Sequence, residues 1–182
     1  HLDVGGVQRQ MLLAFKALRE LNVECHVCCI DKPGELSYKF QEEGFSVHHV
    51  KFGSRLDPLA LYKLNRLCAV KEFDVVHAQM YSANMSTNAA LRFANKASIV
   101  NGYHNQNFFN TEKQKDNIVR TATRPDAILA VGENVKRGLV DIGVPEKKII
   151  VVTNGVVGPE QPLLMPSFQP MTPLRLMWAG RF

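Results

Sequence analysis

Along most of the chain, segments with a helical hydrophobic period alternate with short apolar runs. From Gly6 to Leu21, Val7, Met11, Phe15, Leu18 and Leu21 fall on one helical stripe, with Arg9, Lys16 and Arg19 pointing elsewhere. The apolar run Val23–Ile30 reads as a strand. Pro33-Gly34 breaks it, a short helix reaches Glu43, and Gly44 stops that helix before a second strand at Ser46–Phe52. Asp57-Pro58 predicts a helix start, because Asp caps free N–H groups and Pro suits the first turn. Leu61, Leu64 and Leu67 or Cys68 are the expected buried face of that helix. The pattern then gives a strand at Asp74–Ala78, a helix from Ser82 to Ala94 and a strand at Ala97–Tyr103. A helix from Thr111 to Ala122, a strand at Asp126–Val131 and a helix from Glu133 to Ile142 follow, the last ending at Gly143 with Pro145 beyond. Ile149–Val152 is the final strand, closed by the turn signal Asn154-Gly155. Such alternation predicts an α/β fold, a Rossmann-like parallel sheet with helices on both faces.

From Gly158 the pattern changes. Pro159, Pro162, Pro166, Pro170 and Pro173 fall in one short stretch, too rich in proline for helix or central strand. The expected organisation is a first domain over residues 1–157, an interdomain linker over 158–173, and over 174–182 the first strand of a second domain. The chain opens at His1 in what reads as mid-loop, so truncation at both ends is expected.

The 182 residues are 46% apolar, enough for a full domain with its own core. No apolar run approaches the roughly 20 residues of a membrane helix. The net charge of +5 mildly favours phosphate-bearing ligands or an anionic membrane surface. The basic residues are scattered and lack interleaved aromatics, which argues against nucleic acid as a partner. Cys25 and Cys28 mimic a metal-binding pair, but residues three apart on a strand point to opposite faces. Together with Cys29 and Cys68 they read as buried free thiols, which suits a reducing cytoplasm.

Three places carry candidate chemistry. Gly5-Gly6 opens the first helix, where unpaired N–H groups and a partial positive charge make an anion site, although a glycine pair there is more often only a turn. Tyr103-His104-Asn105-Gln106-Asn107 lies just past the C-terminal end of a strand, the edge at which open α/β sheets bind ligands, and a plain polar loop explains it equally well. His77 lies at another strand's C-terminal end, where a hydrogen-bonded structural role is the commoner one. His48-His49 reads as structural, with the two rings on opposite faces of a strand. No His or Cys set has zinc spacing, and no G-x-S-x-G elbow is present.

Taken in order, these pieces resemble glycosyltransferase family 4. Gly5-Gly6-Val7-Gln8 is similar to the family's Gly-Gly-x-Glu/Gln loop, and Gly44-Phe45-Ser46-Val47 to its second-strand entry. Asp74-Val75-Val76-His77-Ala78-Gln79 resembles D-V-V-H-A-H, and Asp126-Ala127-Ile128-Leu129-Ala130-Val131 resembles A-D-x-I-L-A-V-S. Gly143-Val144-Pro145-Glu146-Lys147-Lys148-Ile149 with Asn154-Gly155-Val156 is similar to G-V-P-x-x-K-I…N-G-V-D, and Ala179-Gly180-Arg181-Phe182 to the opening of the second domain. Six such pieces in the right order and spacing are specific.

The resemblance implies the acceptor-side half of a two-domain GT-B enzyme. Such an enzyme moves a sugar from a nucleotide-diphosphate sugar with retention, and needs no metal and no cofactor. It implies donor contacts from the Gly5 and Gly6 amides and from Arg181, and a catalytic position for His104 beside the donor sugar. Gln8, His77, Asn84, Tyr103 and Asn105 would line the acceptor side. Met80-Tyr81-Ser82-Ala83-Asn84 with His104-Asn105 also resembles a branch that builds surface polysaccharides, so a carbohydrate or lipid-linked acceptor is the expected partner. Location would be cytoplasmic, and the basic balance permits contact with the inner face of a membrane. Gln79, Gly132 and Val157 depart from the usual His, Ser and Asp. The first two bear on acceptor preference and the third on the domain junction. A GT-B nucleotide-sugar epimerase, or a binding module without catalysis, is the alternative. A chain truly starting at His1 is expected to fold poorly without a central strand, and these residues alone are expected not to transfer sugar.

Overall fold

The computed structural model describes residues 5–30, 32–54, 57–92, 96–105, 109–156 and 158. Apart from Gly158, the linker and the second-domain strand expected over 158–182 lie outside the described residues, and so does Arg181. The elements run α1 (Gly6–Glu20), β1 (His26–Cys29), α2 (Ser37–Glu42), β2 (Ser46–His49), α3 (Pro58–Lys71), β3 (Val75–Gln79) and α4 (Met80–Ala90). They continue with β4 (Ser98–Tyr103), α5 (Glu112–Thr121), β5 (Ala127–Ala130), α6 (Glu133–Asp141), a single 3-10 turn and β6 (Ile149–Val151).

Their boundaries follow local chemistry. The Asp57 carboxylate accepts from Leu59 N at 3.0 Å and Ala60 N at 3.2 Å, which caps α3, and Pro58 fills its first position. Thr111 Oγ1 accepts from Gln114 N at 3.2 Å, and the Gln114 side chain returns to Asn110 N at 2.6 Å. Past α2 and α6 the chain turns at Gly44 (φ +82°) and Gly143 (φ +102°), left-handed conformations that favour glycine.

The strands form two parallel sheets, β1-β2 and β3-β4-β5-β6. Alternation along each strand sends side chains to opposite faces. Val27 and Cys29 pack with Phe40, Phe45, Met11, Leu12 and Phe15 from α1, α2 and the turn that follows. On the other face Cys28 joins Leu64, Cys68, Leu91, Ile99 and Val76, so α3 and α4 tie the two sheets into one core. Ile128, Ala130 and Ile149 are buried by Ile118 of α5 and Val135 and Leu139 of α6. The opposite face of the four-stranded sheet is open: Val75 is 56% and Ile150 53% exposed.

Two expectations about buried faces need correction. Leu18 and Leu21 are 37% and 73% exposed, because α1 packs through Met11, Leu12 and Phe15 and its last turn carries on past that contact. In α3 the deepest residues are Ala60, Leu64 and Cys68, with Leu61 and Leu67 only half-buried, a stripe rotated toward the small side chains that let α4 approach. The four cysteines are free thiols: Cys29 and Cys68 are buried, Cys25 and Cys28 half-buried. Desolvation pushes Cys28 up to about 12 and Cys68 to about 11.

Candidate functional site

The site grows from the junction of β3, α4 and β4. In β3, His77 and Gln79 are two residues apart and share the open face of the sheet. Gln79 then passes directly into α4 through Met80, whose φ of +70° makes the turn without a loop. A non-glycine residue held there stores backbone strain, of the kind that gathers at functional sites. Gln79 lies in register with Gly102 of β4, and His104 follows two residues on, just beyond the strand.

Gly102 is what allows the side chains to meet. A Cβ at that position would stand 3.1 Å from Gln79 Cδ and 3.1 Å from His77 Nε2. In the space left by its absence, the Gln79 amide lies between two imidazoles. Its Oε1 accepts from His104 Nε2, and its Nε2 lies 3.0 Å from Nε2 and 3.3 Å from Nδ1 of His77. Among the described residues, His104 Nδ1 is buried and has no hydrogen-bond partner.

Desolvation lowers both imidazoles, and for His77 the charge that His104 would carry lowers it further, to about 4. Both rings are therefore neutral at pH 7. His48 is lowered too, by burial first, then by His26, whose ring stacks on it at 5.2 Å, and by Lys71. Each depressed His binds its proton less readily folded than unfolded. Stability is thus complete above the unfolded value of roughly 6.5 and falls as pH drops toward 4. Asp57 and Glu146 are also held below their ordinary values, but they titrate only at lower pH. The melting temperature should therefore be lower at pH 5 than at pH 7.5, and a flat or rising profile would contradict the assignment.

Beneath these rings lies a second, fully buried polar group. Asn84 Nδ2 donates to the Gly102 carbonyl at 3.2 Å, which braces the end of β4 from the α4 side. Asn88 is one helical turn on, and Asn101 and Tyr103 point to the same covered face. Among the described residues, Asn84 Oδ1, both amide atoms of Asn88 and Asn101 Oδ1 have no hydrogen-bond partner. Buried polar atoms are normally satisfied, so such a cluster is a feature that a purely packing role does not require. Burial pushes the Tyr103 hydroxyl up to about 12, against an opposing interaction with Asn84.

The structure thus brings together His77, Gln79 and His104 above the sheet, with Asn84 and Tyr103 below it. Asn105 is exposed beside His104, and Gln106 and Asn107 lie outside the described residues. Gly5, Gly6 and Gln8 belong to another element, the start of α1. Gly5 is the helix cap with no side-chain bond to it, and a Cβ on Gly6 would meet nothing within 4 Å, so the backbone there is open to a ligand. Gly102 carries no role in the sequence reading, and Gln79 enters it only as a departure that bears on acceptor preference. The signals were the two-residue spacing of His77 and Gln79 and a glycine inside a strand, which marks close approach. Among the described residues, no group of three or more His, Cys, Asp or Glu is placed to hold a metal ion.

Parallel sheets flanked by helices, with polar groups at the C-terminal edge of adjacent strands, make a Rossmann-like domain, here the N-terminal half of a GT-B fold. The chain belongs to Glycosyltransferase Family 4, whose sequence profile matches residues 4–157. No curated protein matches this sequence closely enough to count as a relative. Among solved structures, Anabaena Alr3699/HepE in complex with UDP is similar at TM-score 0.73 and 16% identity, covering 86% of this chain and 42% of that one. The lipopolysaccharide outer core galactosyltransferase WaaB gives 0.67 and 14%, covering 86% and 44%. The UDP-GlcNAc 2-epimerase of Methanocaldococcus jannaschii gives 0.59 and 18%, covering 80% and 42%. This chain therefore spans about two fifths of the length of these structures.

Proposed function

We propose that the protein carrying this chain transfers a sugar, with retention, from a nucleotide-diphosphate sugar to a carbohydrate or lipid-linked acceptor. The setting would be synthesis of cell-surface polysaccharide or glycolipid. The observation that carries this reading is the family match over residues 4–157, together with a neutral His104 at the strand edge whose buried Nδ1 is unpartnered among the described residues. Similar structures holding UDP, UDP-glucose and glucose support a nucleotide-sugar donor.

In this reading His104 stands beside the reacting sugar, and the open backbone at Gly5 and Gly6 faces the donor phosphates or the acceptor. Arg181 neutralises the charge that builds on the departing diphosphate, so neither a metal nor a cofactor is called for. Gln8, His77 and Asn105 contact the acceptor, and Asn84 and Tyr103 shape the floor from below. The protein works in the cytoplasm, at or near the inner face of the membrane. No described helix is long and apolar enough to cross one.

The epimerase among the similar structures favours a second reading, conversion of the nucleotide sugar itself. Product analysis of the full-length protein with UDP-glucose, with and without a glycan acceptor, separates the two. Transfer predicts a new α-linked product only when acceptor is present. An epimerised nucleotide sugar formed without acceptor would overturn it. His104→Ala should lower turnover by roughly 10²–10⁴-fold if the ring takes part in proton transfer or binds the transition state.

A further inference from the structure

We propose that Gln79 is a positioning residue: its side-chain amide fixes the tautomer of His104, keeping the proton on Nε2 and leaving Nδ1 as a bare lone pair for a substrate hydroxyl. The functional half of this statement rests on the sugar-transfer reading above, whereas the tautomer itself does not.

The argument begins with the asymmetry of a carboxamide. Its oxygen only accepts and its nitrogen only donates. Gln79 is held in one place by the turn at Met80, by its register opposite Gly102 and by rings on both sides. Its nitrogen lies 3.0 Å from His77 Nε2, and His77 is neutral, so one ring nitrogen has a lone pair to receive the amide N–H. The side chain is placed with its nitrogen toward His77 and its oxygen toward His104. The oxygen is left facing His104 Nε2, which must then carry the hydrogen. A neutral imidazole has one N–H, so Nδ1 has none.

Among the described residues, that lone pair is buried and meets no donor. A hydroxyl of the substrate supplies the missing donor, and no other tautomer of His104 could accept from it. The same arrangement disfavours the charged forms of both rings. A protonated His77 can lose the lone pair that receives the amide, and burial opposes a charge on His104. A charge on His104 would in turn oppose one on His77. A histidine at position 79, usual in the family the chain resembles, would itself titrate. Glutamine does not, so the bridge keeps its polarity across the physiological pH range.

The test reads the rings directly. Full-length protein labelled with ¹⁵N-histidine is examined at pH 7.5 by long-range ¹H–¹⁵N correlation, with the His104 signals assigned by their loss in His104→Ala. The expected result is an Nε2–H tautomer for His104 in the unmodified protein. In Gln79→Leu, which keeps the volume and removes both hydrogen bonds, a mixture of tautomers is expected. In Gln79→Glu the carboxylate accepts from the ring and raises the His104 pKa above that of the unmodified protein. An Nδ1–H tautomer in the unmodified protein, or an unchanged Nε2–H tautomer in Gln79→Leu, overturns the proposal whatever the protein catalyses. In the transfer assay, Gln79→Leu should lose roughly tenfold to a hundredfold in kcat with its melting temperature preserved. Full activity there, with the tautomer shifted, would overturn the functional half alone.

Discussion

Phe40→Ala should lower the stability of this domain by about 3–5 kcal/mol, which for a domain of this size is on the order of 10 °C in melting temperature. Phe40 is fully buried at 0% exposure, and its ring meets Phe15 edge-on at 5.6 Å and Phe45 at 6.4 Å. It also joins α2 to β1 and to the apolar face of α1. Truncation removes the largest apolar surface in that half of the core and leaves a cavity between three elements that are already rigidly placed. Phe45 cannot close it, because its own ring is pinned between Phe15 and the guanidinium of Arg19, 5.1 Å from the ring centre. Thermal melts of the two proteins decide the matter. A loss below about 1 kcal/mol would mean that the small sheet is less tightly packed than its contacts imply.

Gly102→Ala should do the opposite: keep the fold and disable the site. The added methyl would press on the Gln79 side chain and stand 3.1 Å from His77 Nε2. Both obstacles are movable ends of side chains, so the backbone need not shift, and alanine is intrinsically better than glycine within a strand by about 0.5–1 kcal/mol. The melting temperature should therefore hold or rise slightly. Gln79, however, loses the space through which it reaches both rings, and a displacement of about 1 Å at such a site costs on the order of 100-fold in rate. Melting and turnover measured on the same preparation test the split. A collapsed melting temperature, or unchanged turnover, would show that the glycine serves something other than the amide bridge.

Much of the fold was legible because its punctuation is local. Asp57-Pro58, Gly44 and Gly143 act within a few residues of themselves, and the structure uses each as the sequence implies. The strand runs Asp74–Ala78 and Ala97–Tyr103 come within a residue of β3 and β4, because a strand buried on one face and flanked by helices leaves little choice of register. What could not be read is what depends on neighbours distant in sequence. Leu18 and Leu21 complete a sound helical stripe, yet both stay exposed, and the last turn of α1 meets Phe45 and Glu43 through Arg19 instead. Asn84, Ser86, Thr87 and Asn88 are all polar, yet all four are buried in α4, where Asn84 donates to a carbonyl of β4. His77 and His104 stood out singly. Their union needed Gln79 and a glycine 23 residues further along the chain, and only the parallel pairing of β3 with β4 sets those two side by side.

The raised thiols have a practical consequence. A cysteine reacts as its thiolate, and with Cys28 held near 12, on the order of one in 100,000 of its thiols is ionised at pH 7. Cys68 and Cys29 are shielded by burial as well, and Cys25 is raised in the same direction. Cys28, Cys29 and Cys68 are thus slow toward maleimides and iodoacetamides, and half-buried Cys25 is the natural thiol to replace first. A single cysteine placed at an exposed position such as Ser54 in a Cys25→Ser background would carry a fluorophore or spin label selectively, with the other three left in place to fill the core.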